Sequence, residues 1–151
     1  MNVRRRGRTA ADDGSILPLI AGASALALAV ILVVTAVTSL YLDFKRVLSI
    51  ADAAALVGAE AYDLSEIVVD GDTVVAVLDS ARVRGAVESH LRDVVAGAVP
   101  VDDLRLVRAT SVDGRSATVV LSARWTPPLL APFIPEGLAI EATSTARSVF
   151  G

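Results

Sequence analysis

A long uninterrupted run of uncharged residues dominates the first third of the chain. Between Ile16 and Leu42 every polar side chain is a small hydroxyl or a tyrosine. A hydroxyl on a helix can bond the carbonyl one turn back, so it is tolerated in lipid. A membrane-spanning helix needs about 20 apolar residues. The pattern therefore predicts a transmembrane helix over residues 14–42.

The helical pattern continues beyond the uncharged run, through residues 43–62. This segment has no proline and is rich in alanine and leucine, which are strong helix formers. Residues spaced four, three and four apart form one apolar face: Phe44, Leu48, Ala51 and Ala55. We therefore expect a single helix from about residue 15 to residue 62, whose amphipathic second half packs against the rest of the protein.

Residues 63–151 are predicted to form a small domain, which begins with two short apolar runs. These runs, residues 67–69 and 73–78, flank an Asp-Gly-Asp sequence. That arrangement is typical of a short hairpin or of an irregular loop. A calcium loop is a poor interpretation, because the further ligands such a loop needs are missing.

A second helix is predicted over residues 80–97, with Asp79 or Ser80 as its N-cap. Its apolar face consists of Val83, Val87, Leu91, Val94 and Ala98. Three charged residues at intervals of four are predicted to pair on its wet face: Arg84, Glu88 and Arg92.

Three strands are predicted after this helix, over residues 104–111, 116–125 and 138–149. The middle one alternates apolar and polar residues along its length, the pattern of a half-buried strand. An Asp-Gly turn joins the first two strands, and a loop with four prolines joins the last two. The fold class is therefore α+β: a long N-terminal helix, a second helix and a three- or four-stranded antiparallel sheet that covers the long helix.

Charge indicates how the predicted transmembrane helix is oriented. Residues 1–13 contain four arginines, whereas residues 43–151 carry an excess of acidic side chains. The positive-inside rule places this basic head in the cytoplasm and residues 43–151 outside, as an extracytoplasmic domain. A cleaved signal peptide is the alternative, but its apolar region is usually about 7–15 residues long. The length of the run favours a retained single-pass anchor.

Small residues recur within the predicted span. Ala21, Ala25 and Ala29 follow each other at intervals of four and share one face of the helix. Small residues at this spacing let a second helix approach closely, although alanine is also common in apolar helices generally. We interpret the three alanines as a helix-packing stripe.

Composition removes several classes of function. The 151-residue chain is 54% hydrophobic, with no cysteine and one histidine, His90, which excludes thiol chemistry and multi-histidine metal sites. The net charge of -3 argues against nucleic-acid binding. His90 has no serine or carboxylate at a diagnostic spacing, and we interpret it as a surface or boundary residue. We therefore expect no enzyme, no cofactor, no metal site and no small-molecule substrate.

The proline-rich connection before the last strand is the most apolar segment outside the predicted span. Either it packs over the edge of the sheet, or it forms an exposed patch for a partner or for the outer leaflet of the membrane. The residues of this predicted patch are Trp125, Leu129, Leu130 and Phe133.

Three segments together form a recognisable combination. The pair Gly14-Ser15 opens the uncharged helix, an alanine-rich block follows where that helix is predicted to leave the membrane, and a strand of Thr, Ser and Ala follows the proline-rich loop. The block consists of Asp52, Ala53, Ala54, Ala55 and Leu56. This combination resembles the TadE/TadG-like proteins of the Tad (Flp) pilus-assembly system.

The resemblance implies a bacterial, pseudopilin-like protein of the cytoplasmic membrane that assists the assembly or secretion of a surface fibre. Its implied partners are membrane lipid and other subunits of the Tad apparatus. Processed pseudopilins of that system are cut after a glycine and carry Glu five residues later. If Gly14-Ser15 were the processing site, Leu19 would stand there, which favours an accessory role. The competing hypothesis is a single-span extracytoplasmic binding or sensory module unrelated to a fibre.

Overall fold

The longest element is a helix of 44 residues, α1 (Ile16–Ala59). The computed structural model describes residues 16–62, 67–70, 73–76, 78–97, 101–128 and 135–147, and within them α1 is unbroken, as predicted. At 1.5 Å per residue it is roughly 66 Å long. It ends three residues earlier than predicted, because Ala61 donates its N–H to the carbonyl of Gly58 at 3.3 Å, the short-range bond that tightens a last turn.

A hairpin follows α1, formed by β1 (Ile67–Asp70) and β2 (Thr73–Ala76). The two strands are antiparallel, and Asp70 stands opposite Thr73, which confirms the hairpin rather than the irregular loop. The second strand is shorter than the predicted run. Leu78 lies beyond it in the core, 3% exposed, and its N–H donates to the carbonyl of Gly114 at 2.8 Å.

The second helix, α2 (Ser80–Ala96), is capped by Asp79, whose carboxylate accepts from the N–H groups of Ala81 and Arg82. Its buried residues are Val83, Val87 and Leu91, while Val94 is half-buried and Ala98 lies outside the described residues. One of the two predicted pairs forms, between Arg84 and Glu88 at 2.8 Å. Arg92 donates instead to the backbone carbonyl of Glu88.

The sheet has three antiparallel strands in the order β3 (Asp102–Thr110), β4 (Ser116–Trp125) and β5 (Leu138–Arg147). The bounds of β4 are those predicted, because its alternation of buried and partly buried residues is nearly unbroken. In β3 the strand begins two residues earlier than predicted, and its pairing with β4 shifts register twice. The register between β4 and β5 is regular over all of β5.

The core lies between one face of this sheet and the two helices. The second half of α1 packs against β4 and β5, and α2 packs against α1 and β3. The apolar face of α1 is centred on Val47, Ala51 and Ala55, which are fully buried, whereas Phe44 and Leu48 at its margin are half-buried. The architecture therefore agrees with the predicted α+β fold of a long helix, a second helix and an antiparallel sheet.

Candidate functional site at the junction of helix and sheet

The first half of α1 is bare. Every residue from Ile16 to Thr35 is exposed, and the large apolar side chains there include Leu17, 78% exposed. The most apolar window of α1 has a mean hydropathy of 2.6 and no buried residue. In the part of the chain that the structure describes, α1 is the one helix long and apolar enough to cross a membrane.

The predicted packing stripe lies on this bare half. Ala21, Ala25 and Ala29 are all exposed, so a second helix has access to them. Ala29 and the buried Val47 are separated by about five helical turns, which puts them on the same side of α1. The stripe therefore continues the side that the sheet covers farther along the helix.

The bare half ends at a contact between α1 and the last residue of β4. The indole N–H of Trp125 donates to Oγ of Ser39 at 3.2 Å. Trp125 is only 5% exposed. Trp125 itself is therefore buried beside α1, whereas the two alternatives for the proline-rich segment as a whole, packed or exposed, stay predictions. The other members of the patch lie outside the described residues: Leu129, Leu130 and Phe133.

Strand β4 runs antiparallel along α1 from this contact to the far end of the helix. A Cβ built on Gly58 would lie 3.1 Å from that of Ala117 near the start of the strand. From Ser39 to Gly58 the helix rises about 28 Å, and from Trp125 to Ala117 the strand spans about 26 Å. The two lengths agree, so β4 lies along α1 over this whole stretch and ends where α1 becomes bare.

Charged side chains and an exposed tyrosine begin just beyond the junction. Tyr41 is 58% exposed, with Nζ of Lys45 5.7 Å from its ring centroid, and Arg46 pairs with Asp43 at 2.6 Å. On the bare side, the hydroxyl of Thr35 donates to the carbonyl of Ile31 at 2.8 Å. The Thr35 hydroxyl is thus satisfied by its own helix, as expected of a hydroxyl in lipid.

The outer face of the sheet carries a cluster of ion pairs near the same end. Asp103 accepts from Nε of Arg105 at 2.9 Å and from a terminal nitrogen of Arg124 at 3.0 Å. These hydrogen bonds, that of Arg105 first, hold the pKa of the Asp103 carboxyl below its usual value. Asp103 adopts a left-handed φ of 52°. With Glu136, the four side chains line an open groove of about 560 Å³, and their charges cancel.

The alanine-rich block, residues 52–56, is divided between core and surface. Ala54 and Ala55 are buried, whereas Asp52, Ala53 and Leu56 are exposed. The buried pair belongs to the small-residue face on which the sheet rests. The pair Gly14-Ser15 lies outside the described residues.

His90 is the single histidine, which the sequence predicts to be a surface or boundary residue. It is half-buried, and its Nε2 atom finds no hydrogen-bond partner among the described residues. No group of three or more His, Asp or Glu that could hold a metal occurs within those residues. The arrangement therefore offers surfaces for association: an apolar helix, a small-residue stripe and a junction with the sheet.

Sequence reasoning marks Ser39 only as a hydroxyl tolerated in lipid and does not mark Asp103 as special. Both roles depend on residues of another element, Trp125 and Arg124, so no local pattern points to them. No family model, no curated protein and no solved structure matches the chain.

Proposed function

We propose that the protein is a single-pass membrane protein that assists the assembly of a Tad-type pilus or secretion apparatus, in a structural and not a catalytic role. The observation that carries this proposal is the division of α1 into a bare apolar half and a half covered by its own domain. The bare half of such a helix lies in lipid or against neighbouring helices, while the other half carries a domain in water.

Membrane insertion is supported by length and by the placement of polar groups. The bare stretch of about 23 residues from Ile16 is roughly 35 Å long, against a hydrocarbon core of about 30 Å. Tyr41, Asp43 and Lys45 follow directly after it, where an interface is expected. The arginines at residues 4, 5, 6 and 8 favour a cytoplasmic N-terminus and an extracytoplasmic domain.

The pilus role is supported by the resemblance of Gly14-Ser15 and of the alanine-rich block, and by the architecture. In a pilin-like subunit the bare half of the long helix makes contacts in the bilayer, while a sheet packed on the other half faces outward. The exposed stripe of Ala21, Ala25 and Ala29 gives this chain a surface for such helix contacts.

An accessory role fits better than a place in the fibre. A fibre subunit of the processed type carries a Glu whose charge must pair with a neighbouring N-terminus, because an unpaired charge in lipid is costly. Leu19 stands at the corresponding position, and no acidic residue occurs in α1 before Asp43. The chain therefore lacks that means of setting register along a fibre.

A second candidate is a single-span binding or sensory module. The open groove lined by Asp103, Arg105, Arg124 and Glu136 favours it, since a few converging polar groups in a concave site help to fix a ligand's orientation. In this case the protein binds a ligand outside the membrane and takes no part in a fibre.

The decisive experiment is deletion of the gene in the source bacterium, followed by electron microscopy of surface fibres. We expect loss of Tad-type fibres, recovery with the wild-type gene, and no recovery with Ala25→Leu, because a large side chain blocks close helix approach. Ser89→Ala, an exposed change on α2, is the matched control and is expected to restore fibres. Normal fibres in the deletion strain would favour the binding module.

The intact mass of the protein from native membranes distinguishes a permanent membrane anchor with an accessory role from a processed fibre subunit. We expect the full chain, less at most Met1. A mass of residues 15–151 would show cleavage between Gly14 and Ser15 and would make the protein a processed subunit. The mass of a chain that begins near Val37 would show a secreted domain and would contradict the proposed membrane anchor.

A further inference from the structure

The end of the sheet formed by β4 and β5 lies at the level where α1 becomes bare. Trp125 at the end of β4 donates a hydrogen bond to Ser39. In the sheet it stands opposite Leu138, the first residue of β5. Two residues along, Ile140 lines a groove of about 460 Å³ with Val37, Leu40 and Phe44 of α1. Leu138 lies a further 7 Å or so toward the bare half.

That level coincides with the edge of the bilayer, if α1 crosses it. A hydrocarbon core of about 30 Å takes up some 20 residues of a straight helix, which from Ile16 reaches the neighbourhood of Val37. Tilt would shorten the span along the membrane normal and bring the sheet closer still. Between the lipid boundary and the end of the sheet there is therefore no length of free helix.

The same end of the sheet is apolar on the side that faces α1. Leu138 is 50% exposed and Val37 is 60% exposed, so both offer apolar surface at this level. An exposed apolar rim that is continuous with a lipid-facing helix has lipid as its natural cover.

Charges surround this rim without adding a net charge. Arg124 and Glu136 flank it on the outer face, and Arg124 is already paired with Asp103. Lys45 lies over Tyr41 on the helix side. Amphipathic side chains of this kind suit the headgroup layer, and a balanced cluster gives no preference for anionic lipid.

We propose that the β4–β5 end of the sheet rests, through the exposed Leu138, in the interfacial layer of the outer leaflet as a second membrane contact, with the buried Trp125 next to Leu138 on the neighbouring strand. The domain is then seated on the bilayer and is not held away from it on a stalk. Lipid is the occupant, and zwitterionic lipid suffices. This inference rests on the proposed membrane span of α1.

The absence of cysteine allows a direct test with single spin labels on the full chain. The protein is reconstituted at low density in phosphatidylcholine vesicles, with one label at Leu138→Cys, Val112→Cys or Leu28→Cys. Val112 is 95% exposed in the turn at the other end of β4, and Leu28 is 62% exposed in the bare half of α1. For each label, collisions with oxygen and with a water-soluble nickel chelate are compared.

At Leu138 we expect a ratio of oxygen to nickel collisions severalfold above that at Val112 and below that at Leu28. A water-like ratio at Leu138 with a lipid-like ratio at Leu28 would overturn the second contact and leave the span intact. A water-like ratio at both would overturn the span itself. Replacing a third of the lipid by phosphatidylglycerol is expected to leave the Leu138 ratio unchanged; a strong rise would show a charge-driven contact and contradict the proposal.

A second measurement needs no substitution. Trp125 is the only tryptophan of the chain, so its fluorescence reports this end of the sheet alone. We expect lipids brominated near the headgroup end of the acyl chain to quench it more than lipids brominated near the chain end. Equal fluorescence in brominated and plain vesicles would contradict the contact even if the labelled variants fail to fold.

Discussion

Gly58 of α1 lies against Ala117 of β4 so closely that a methyl group on Gly58 would come within 3.1 Å of the Ala117 Cβ. The same methyl group would lie 3.1 Å from Cγ1 of Val83 and 3.3 Å from Cγ2 of Val87. Gly58 is therefore the point at which the long helix, the second helix and the sheet meet.

A large side chain at this point is expected to force the elements apart. We expect Gly58→Leu to lower the free energy of unfolding by about 2 kcal/mol or more, because overpacking a filled core strains its neighbours. Gly85→Leu is the matched control, since a Cβ on Gly85 meets nothing within 4 Å and leucine favours the helix. Urea unfolding in detergent micelles, followed by Trp125 fluorescence, measures both. Equal midpoints for the two variants would contradict this packing.

The start of α2 is held to the end of β3 by one hydroxyl. Oγ of Ser80 donates to the carbonyl of Ser111 at 3.0 Å and accepts from its N–H at 3.1 Å. We expect Ser80→Ala to cost about 1–2 kcal/mol of unfolding free energy, because both backbone groups of Ser111 lose their partner. Ser89→Ala, on the exposed face of the same helix, is expected to change stability by less than about 0.5 kcal/mol.

The β3–β4 turn makes stability depend on acid. Hydrogen bonds from the backbone N–H groups of Arg115 and Ser116, and from the Ser116 hydroxyl, lower the pKa of Asp113 to about 2 from an ordinary value of 3.8. A carboxyl whose pKa is lower in the folded state contributes stability above its unfolded pKa and loses it as the pH falls through the folded value.

The urea midpoint of the wild type is therefore expected to fall relative to that of Asp113→Asn as the pH goes from 5 to 2. Asparagine keeps an acceptor oxygen for the turn and does not titrate in this range, so the variant is the reference against which the wild type is measured. A gap that stays constant from pH 5 to pH 2 would show that Asp113 does not contribute to the acid sensitivity.

The bond between Trp125 and Ser39 joins the sheet to the bare end of the helix. We expect Ser39→Ala to lower the free energy of unfolding by about 1 kcal/mol, because a largely buried indole N–H loses its acceptor. Ser49→Ala, an exposed serine on the same helix, is the control. In the background of Trp125→Phe, followed by circular dichroism, Ser39→Ala is expected to cost close to nothing. An equal cost in both backgrounds would mean that the two side chains do not interact.

The regular elements could be predicted because their patterns are local. The alternation in β4 sets both of its ends, and Val83, Val87 and Leu91 mark the buried face of α2. The buried face of α1 lies about one residue round the helix from the apolar face predicted from the sequence, toward Val47 and the alanines. The sheet settles on the side with the smallest residues, where Gly58 permits the closest approach, and that choice depends on the partner surface.

The junction could be predicted only in part, because its contacts link distant positions. The apolar run and the proline-rich segment are evident in the sequence, but the partner of Trp125 lies 86 residues earlier. Asp103 takes its unusual backbone conformation beside Arg124 of the neighbouring strand. A pattern read along one segment carries no information on either pairing.

The distance in sequence between Ser39 and Trp125 also sets an order of events during synthesis. At about 5–20 residues per second, several seconds pass between the appearance of the two residues. During that interval the face of α1 around Val47 has no sheet to cover it, so it is open to other apolar chains. The domain can close over its helix only after β5 has been made, so the newly made chain depends until then on protection of this apolar face.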